Sequence, residues 1–66
     1  MGTFVIYIDH AGEYRWYFMS DNYEKIADST VSYEDREDCE QDIRLMKGMA
    51  PMAKIQAPAR VETLIA

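Results

Sequence analysis

Residues 4–20 read FVIYIDHAGEYRWYFMS, the pattern of a single β-hairpin. In the first strand, residues 3–9, Phe4, Ile6 and Ile8 fall on one face and Thr3, Val5, Tyr7 and Asp9 on the other, because side chains alternate along a strand. Apolar residues on both faces predict a strand covered on both sides, or one whose second face meets a partner. Residues 9–13 break the alternation. Gly12 supplies the positive φ of a tight loop, and the Asp9 carboxylate is placed to accept from nearby backbone amides. In the second strand, residues 14–19, Tyr14, Trp16 and Phe18 share one face while Arg15, Tyr17 and Met19 share the other. Cross-strand aromatic and β-branched pairs stabilise such a hairpin by roughly 0.2–1 kcal/mol each.

The rest of the chain extends or covers that hairpin. A second turn is expected over residues 20–24, with Asn22 the residue best suited to the left-handed conformation. A weaker third strand follows over 25–31, anchored by Ile26 and Ala27. Residues 32–47 predict the helix. Ser32 with Asp35 three positions on resembles a capping box, and Glu34, Asp35, Glu37 and Asp38 suit the positive end of the helix dipole. At about 100° per residue, Cys39, Ile43, Met46 and Ala50 form the core-facing stripe, and Leu45 lies off it as a candidate second contact surface. Gly48 and Pro51 end the helix. A fourth strand is expected over 52–57 between Pro51 and Pro58, and a further short one over 59–65. The expected fold is therefore α+β, an antiparallel sheet of β-β-β-α-β order with one helix packed on it. Residues 1–57 make a single domain, and 58–66 a C-terminal tail.

Sixty-six residues make a marginal core, since chains of this size bury only about 60% of their unfolded surface. Small domains compensate with disulfides, a metal or self-association. Cys39 and His10 are the sole cysteine and histidine, which excludes an intrachain disulfide and a Cys/His zinc site within one chain. Self-association is the remaining expectation. The formal charge is −5, and the seven Lys and Arg are scattered, so no basic footprint for nucleic acid or anionic membrane exists. No apolar run approaches the roughly 20 residues of a membrane span. A lone cysteine and a start without signal-peptide character lead to an expectation of the cytoplasm.

The sequence resembles the YegP-like family, small proteins with domain of unknown function 1508. The resemblance rests on Phe4-x-Ile6-Tyr7-x-Asp9, Gly12-Glu13-Tyr14-Arg15-Trp16 and Ile26-Ala27-Asp28-Ser29, and continues through Tyr33, Ile43, Lys47 and Ala50-Pro51. It implies a β3-αβ unit that pairs with a second one and builds a single sheet by exchanging C-terminal strands. For a chain holding one unit, that is a homodimer. This chain departs from the family pattern in three places. It has Asn22-Tyr23 where Asn-Gly is usual, Asp42 where a small residue is usual, and Glu34 where a serine is usual. The family carries no established activity.

Several constellations bear on function. Asp9, His10 and Glu13 put an imidazole between two carboxylates, as acid–base chemistry requires, but a hairpin tip offers no pocket to perturb them. The acidic run from Glu34 to Asp42 lacks the spacing of a calcium loop and reads as a solvated helix start. Cys39 sits on the apolar stripe among acids, which favours an inert core thiol. Arg15 beside Tyr7 and Tyr17 can stack on a ring and grip a carboxylate, across a dimer interface or on a ligand. The expectation is a homodimeric structural or binding module with no catalytic residue, cofactor or metal. The alternative is a small-molecule or peptide binder using the sheet face around Tyr7, Arg15 and Trp16. Tyr7, Arg15, Trp16, Tyr17 and Ile55 are the candidate ligand or dimer contacts.

Overall fold

The computed structural model describes residues 1–60. Three antiparallel strands, β1 (Thr3–Ile8), β2 (Tyr14–Met19) and β3 (Lys25–Asp28), lie in the order β1-β2-β3. A helix, α1 (Arg36–Met49), follows, and a 3-10 turn, Ala50–Met52, continues from its end. The α+β class and the three-strand, one-helix order agree with the sequence reading.

The register pairs Phe4 with Phe18, Ile6 with Trp16 and Tyr7 with Arg15. The Asp9 amide donates to the Glu13 carbonyl at 2.8 Å, so residues 3, 5, 7 and 9 bond across to β2. On β2, the intervening residues turn their backbone groups the other way. Tyr14 exchanges both of its bonds with Tyr33, and the Trp16 carbonyl accepts from the Ser29 amide. On β1, the corresponding groups of Phe4, Ile6 and Ile8 point to an edge that carries no strand among the described residues.

One face of the sheet holds Phe4, Ile6, Tyr14, Trp16 and Phe18, packed against Cys39, Ile43 and Met46 of α1. Phe4 meets Trp16 edge-on with centroids 5.4 Å apart, and Phe18 at 4.8 Å. The core is small: its buried residues are Trp16, Cys39 and Ile43.

Four expectations are corrected. The helix begins at Arg36, not at residue 32, with Asp35 as its N-cap and no side-chain capping bond. The reason is that Tyr33 commits both backbone groups to Tyr14, which holds that stretch beside β2, while the Ser32 hydroxyl donates to Glu13. The third strand is four residues long and stops at Asp28. Ser29 there turns its hydroxyl to the Trp16 amide. In the second turn the positive φ belongs to Tyr23, at 63°, and not to Asn22. Finally, the strand expected over 52–57 is not formed among the described residues. Met52 belongs to the 3-10 turn, and residues 53–60 are neither helix nor strand. Among the described residues of one chain, no strand pairs with them. Of the short strand expected over 59–65, residues 59 and 60 are described and irregular; the rest of it, with most of the 58–66 tail, lies outside the described residues.

Candidate functional site

The face of the sheet turned away from α1 carries the distinctive chemistry. Alternation along β1 and β2 puts Val5, Tyr7, Arg15, Tyr17 and Met19 there, and the pairing of Tyr17 with Asp28 adds β3. The Tyr7 and Tyr17 rings are 5.9 Å apart at 47°. Arg15 Nε donates to Asp9 Oδ2 at 2.8 Å. The same carboxylate accepts the Ala11 and Glu13 amides through Oδ1, at 2.9 and 3.0 Å. Asp9 thus shapes the hairpin loop and fixes the guanidinium in one step. The Arg15 hydrogen bond, helped by the Glu13 and Ala11 amides, holds the Asp9 carboxyl below the usual carboxylate range. In turn the Asp9 bond raises Arg15. Lys25 pairs with Asp28 at 2.7 Å, which raises the lysine. Both cations of this face therefore have a carboxylate of their own. A shallow depression of about 610 Å³ lies between Tyr7, Ile8, Asp9, His10, Ala11 and Arg15.

The structure brings Tyr7, Arg15 and Tyr17 together and separates Trp16 from them. Trp16 lies on the opposite face under α1, 8% exposed, and its indole Nε1 is buried with no hydrogen bond of good geometry among the described residues. Ile55, on the irregular segment after the 3-10 turn, is fully exposed and outside the sheet. His10 is exposed at the hairpin tip, and its two neighbouring carboxylates are engaged elsewhere, Asp9 with Arg15 and Glu13 with Ser32. On α1, Glu40 bridges Arg36 and Arg44, and Asp42 accepts from the Tyr33 hydroxyl at 2.8 Å. Burial, reinforced by Asp42 and Glu40, pushes the Cys39 thiol up, consistent with an inert core residue.

A second feature escaped sequence reasoning. An apolar groove of about 780 Å³ runs beneath the C-terminal end of α1, lined by Gly2, Phe4, Phe18, Ile43, Met46 and Pro51. Of the residues the sequence pattern marks as interior, Phe4 and Phe18 of the sheet and Ile43 and Met46 of the helix stripe line it, while Ile8, at the other end of β1, is left 62% exposed. Helix α1 covers only part of the face that the strand pattern marks as interior.

Residues 9–56 match the family described as "Domain of unknown function (DUF1508)". An NMR solution structure of a protein from Haloferax volcanii is similar over 86% of this chain and 95% of that one, at 32% identity and a TM-score of 0.76. No curated protein matches the chain.

Proposed function

The chain belongs to the DUF1508 family, and from that premise we propose that it is a homodimeric structural or binding module without catalytic activity. In the proposed dimer, the segment after the helix of each copy pairs with the sheet of the other. The observation that carries this is the edge of β1, which no strand of the described residues covers. Its six residues contain no charge, no proline and no bulge, the devices that keep exposed edges from pairing. The opposite edge has them: β3 is four residues long, carries Lys25 and Asp28, and sits beside a register shift at Phe18/Met19. The small core points the same way. Ile8, Ile26, Leu45, Met49, Met52 and Ile55 are all more than half exposed in the single chain. No described helix is long and apolar enough to cross a membrane, and a buried, reduced Cys39 suits the cytoplasm, where we place the module. Sedimentation equilibrium at micromolar concentration tests the reading. A mass of twice 7.7 kDa is expected, and a stable mass near 7.7 kDa overturns it.

A second reading is favoured by the fixed Arg15 beside Tyr7 and Tyr17: the outer face holds a small molecule or peptide, without Trp16. A guanidinium held in place by a carboxylate loses little freedom when a ligand arrives. Native mass spectrometry of freshly purified protein separates the two readings, since a carried ligand adds mass to the dimer and a bare module does not.

A further inference from the structure

We propose that the aromatic cluster on the outer face of the sheet is completed by a second copy of the chain, whose Lys54 stands beside Tyr7. The inference rests on the strand-paired dimer proposed above. It adds which edge receives the strand, which way the strand faces and what it delivers.

The edge follows from the backbone. The outward-pointing ladder groups of β1 belong to Phe4, Ile6 and Ile8, so the ladder that the described residues leave vacant extends from residue 4 to residue 8. Residues 53–57 have the same length. They follow directly on the 3-10 turn, precede Pro58, are exposed throughout, and start extended, with Ala53 at φ −69° and ψ 146°. An extended segment with unused backbone groups and an edge with unused backbone groups are complementary.

The direction follows from the alternation. In Ala53-Lys54-Ile55-Gln56-Ala57, the apolar residues fall on one face and the polar ones on the other. Ile55 turned to the α1 side meets Phe4, Ile6 and the exposed Ile8, with two small alanines flanking it. The inverse orientation sets an ammonium against that apolar column, where its charge is neither solvated nor paired. With Ile55 inward, Lys54 and Gln56 project onto the outer face, where β1 presents Val5 and Tyr7. The proposed strand runs antiparallel to β1 with Ile55 opposite Ile6, which sets Lys54 beside Tyr7 and Gln56 beside Val5. An ammonium is drawn to a tyrosine ring. Arg15 and Lys25 already hold Asp9 and Asp28, whereas Lys54 has no ion pair among the described residues. The outer-face cluster is then a property of the dimer, because its third cation comes from the other copy.

Disulfide trapping reads the side-chain direction, since neighbouring strands bring same-face cysteines within bonding range and opposite-face ones not. The native Cys39 is fully buried and stays out of the exchange. Tyr7→Cys chains are co-refolded in equal amounts with Lys54→Cys chains and, separately, with Ile55→Cys chains, then oxidised. The expected result is a covalent dimer of the two different chains in the first mixture and none in the second. A covalent dimer in the second mixture alone inverts the strand and overturns the inference. So does the absence of covalent product in both mixtures while sedimentation still shows a dimer, because the strand then does not add to β1. Monomeric chains in both mixtures and in the unaltered protein overturn the dimer reading itself.

Discussion

Gly12 and Tyr23 hold the same place in two hairpin loops with the same hydrogen bonding. In each, the first loop residue donates to the carbonyl four positions on (Asp9 to Glu13, Ser20 to Glu24, both 2.8 Å). The fourth residue donates back to the carbonyl of the first (Gly12 to Asp9, Tyr23 to Ser20, both 3.0 Å). That fourth residue takes positive φ, 81° in one loop and 63° in the other. Even the stapling recurs: Asp9 accepts two loop amides through its carboxylate, and Ser20 accepts two through its hydroxyl.

The equivalence gives a paired prediction. A non-glycine residue in the left-handed region costs roughly 1–2 kcal/mol, so Tyr23→Gly should stabilise the fold by about 0.5–1 kcal/mol after the entropy of a new glycine is subtracted. Gly12→Ala should destabilise it by about 1 kcal/mol through the backbone alone, because no atom lies within 4 Å of the added methyl. Thermal midpoints should move in opposite directions. A fall for both substitutions would mean that the Tyr23 side chain contributes packing its 82% exposure conceals.

Trp16→Ala should abolish folding. The side chain is the largest in a three-residue buried core, and its removal costs about 3–5 kcal/mol by cavity formation. Trp16→Phe should be far milder, since it keeps the edge-on contact with Phe4 and removes an indole N–H that makes no hydrogen bond of good geometry among the described residues. Near-ultraviolet circular dichroism and the thermal midpoint check both, and an alanine variant with an unchanged midpoint would contradict the burial.

The serine of the Ile26-Ala27-Asp28-Ser29 motif has a specific task. Its amide donates to the Trp16 carbonyl at 2.9 Å and its hydroxyl accepts the Trp16 amide at 3.2 Å, so one residue satisfies both backbone groups at the centre of the core strand. Ser29→Ala should leave that buried amide unpaired and cost about 1–3 kcal/mol. Urea unfolding measures it, and a change within a few tenths of a kcal/mol would show that water replaces the hydroxyl.

What was legible in the sequence follows from how local each signal was. The hairpin, its faces and the Asp9–Gly12 loop follow from alternation within each strand and from a short loop, signals carried by neighbouring residues. The helix start was misplaced because Tyr33 is captured by Tyr14, nineteen positions earlier, a contact that local capping rules do not register. Trp16 belongs with the α1 face, as the alternation along β2 dictates, and not with Tyr7 and Arg15. The ion pair of Arg15 with Asp9 joins two residues six positions apart across the loop, a relation that strand alternation does not mark.

Acid should loosen the first hairpin through Asp9. Its folded-state pKa is depressed, so the contribution is present above the unfolded carboxyl value near about 3.9 and is lost as pH falls through the folded one. Asp9→Asn should keep the loop bonds and lose the acid-sensitive part, while Asp9→Ala should lose both. Carboxyl carbon shifts of Asp9 followed from pH 6 downward, with the Arg15 Nε signal, check the order. An Arg15 signal that does not follow the Asp9 titration would break the link.

The fate of Ile55 separates a lone chain from an assembled one. In the single chain its side chain is fully exposed, and a surface substitution there should change stability by no more than about 0.5 kcal/mol. In the proposed dimer the same residue lies inside the second copy, against Phe4, Ile6 and Ile8. Ile55→Asp then buries an unpaired carboxylate, which should remove the dimer and the fold together in so small a core. For the unaltered chain the thermal midpoint should rise with protomer concentration, because folding and association are one event. Removal of residues 51–66 should act like Ile55→Asp. Dispersed amide signals from an Ile55→Asp monomer would show that the domain stands alone, and a folded Ile55→Asp dimer would move the interface to another surface, with Leu45 on the outer flank of α1 as the next to test.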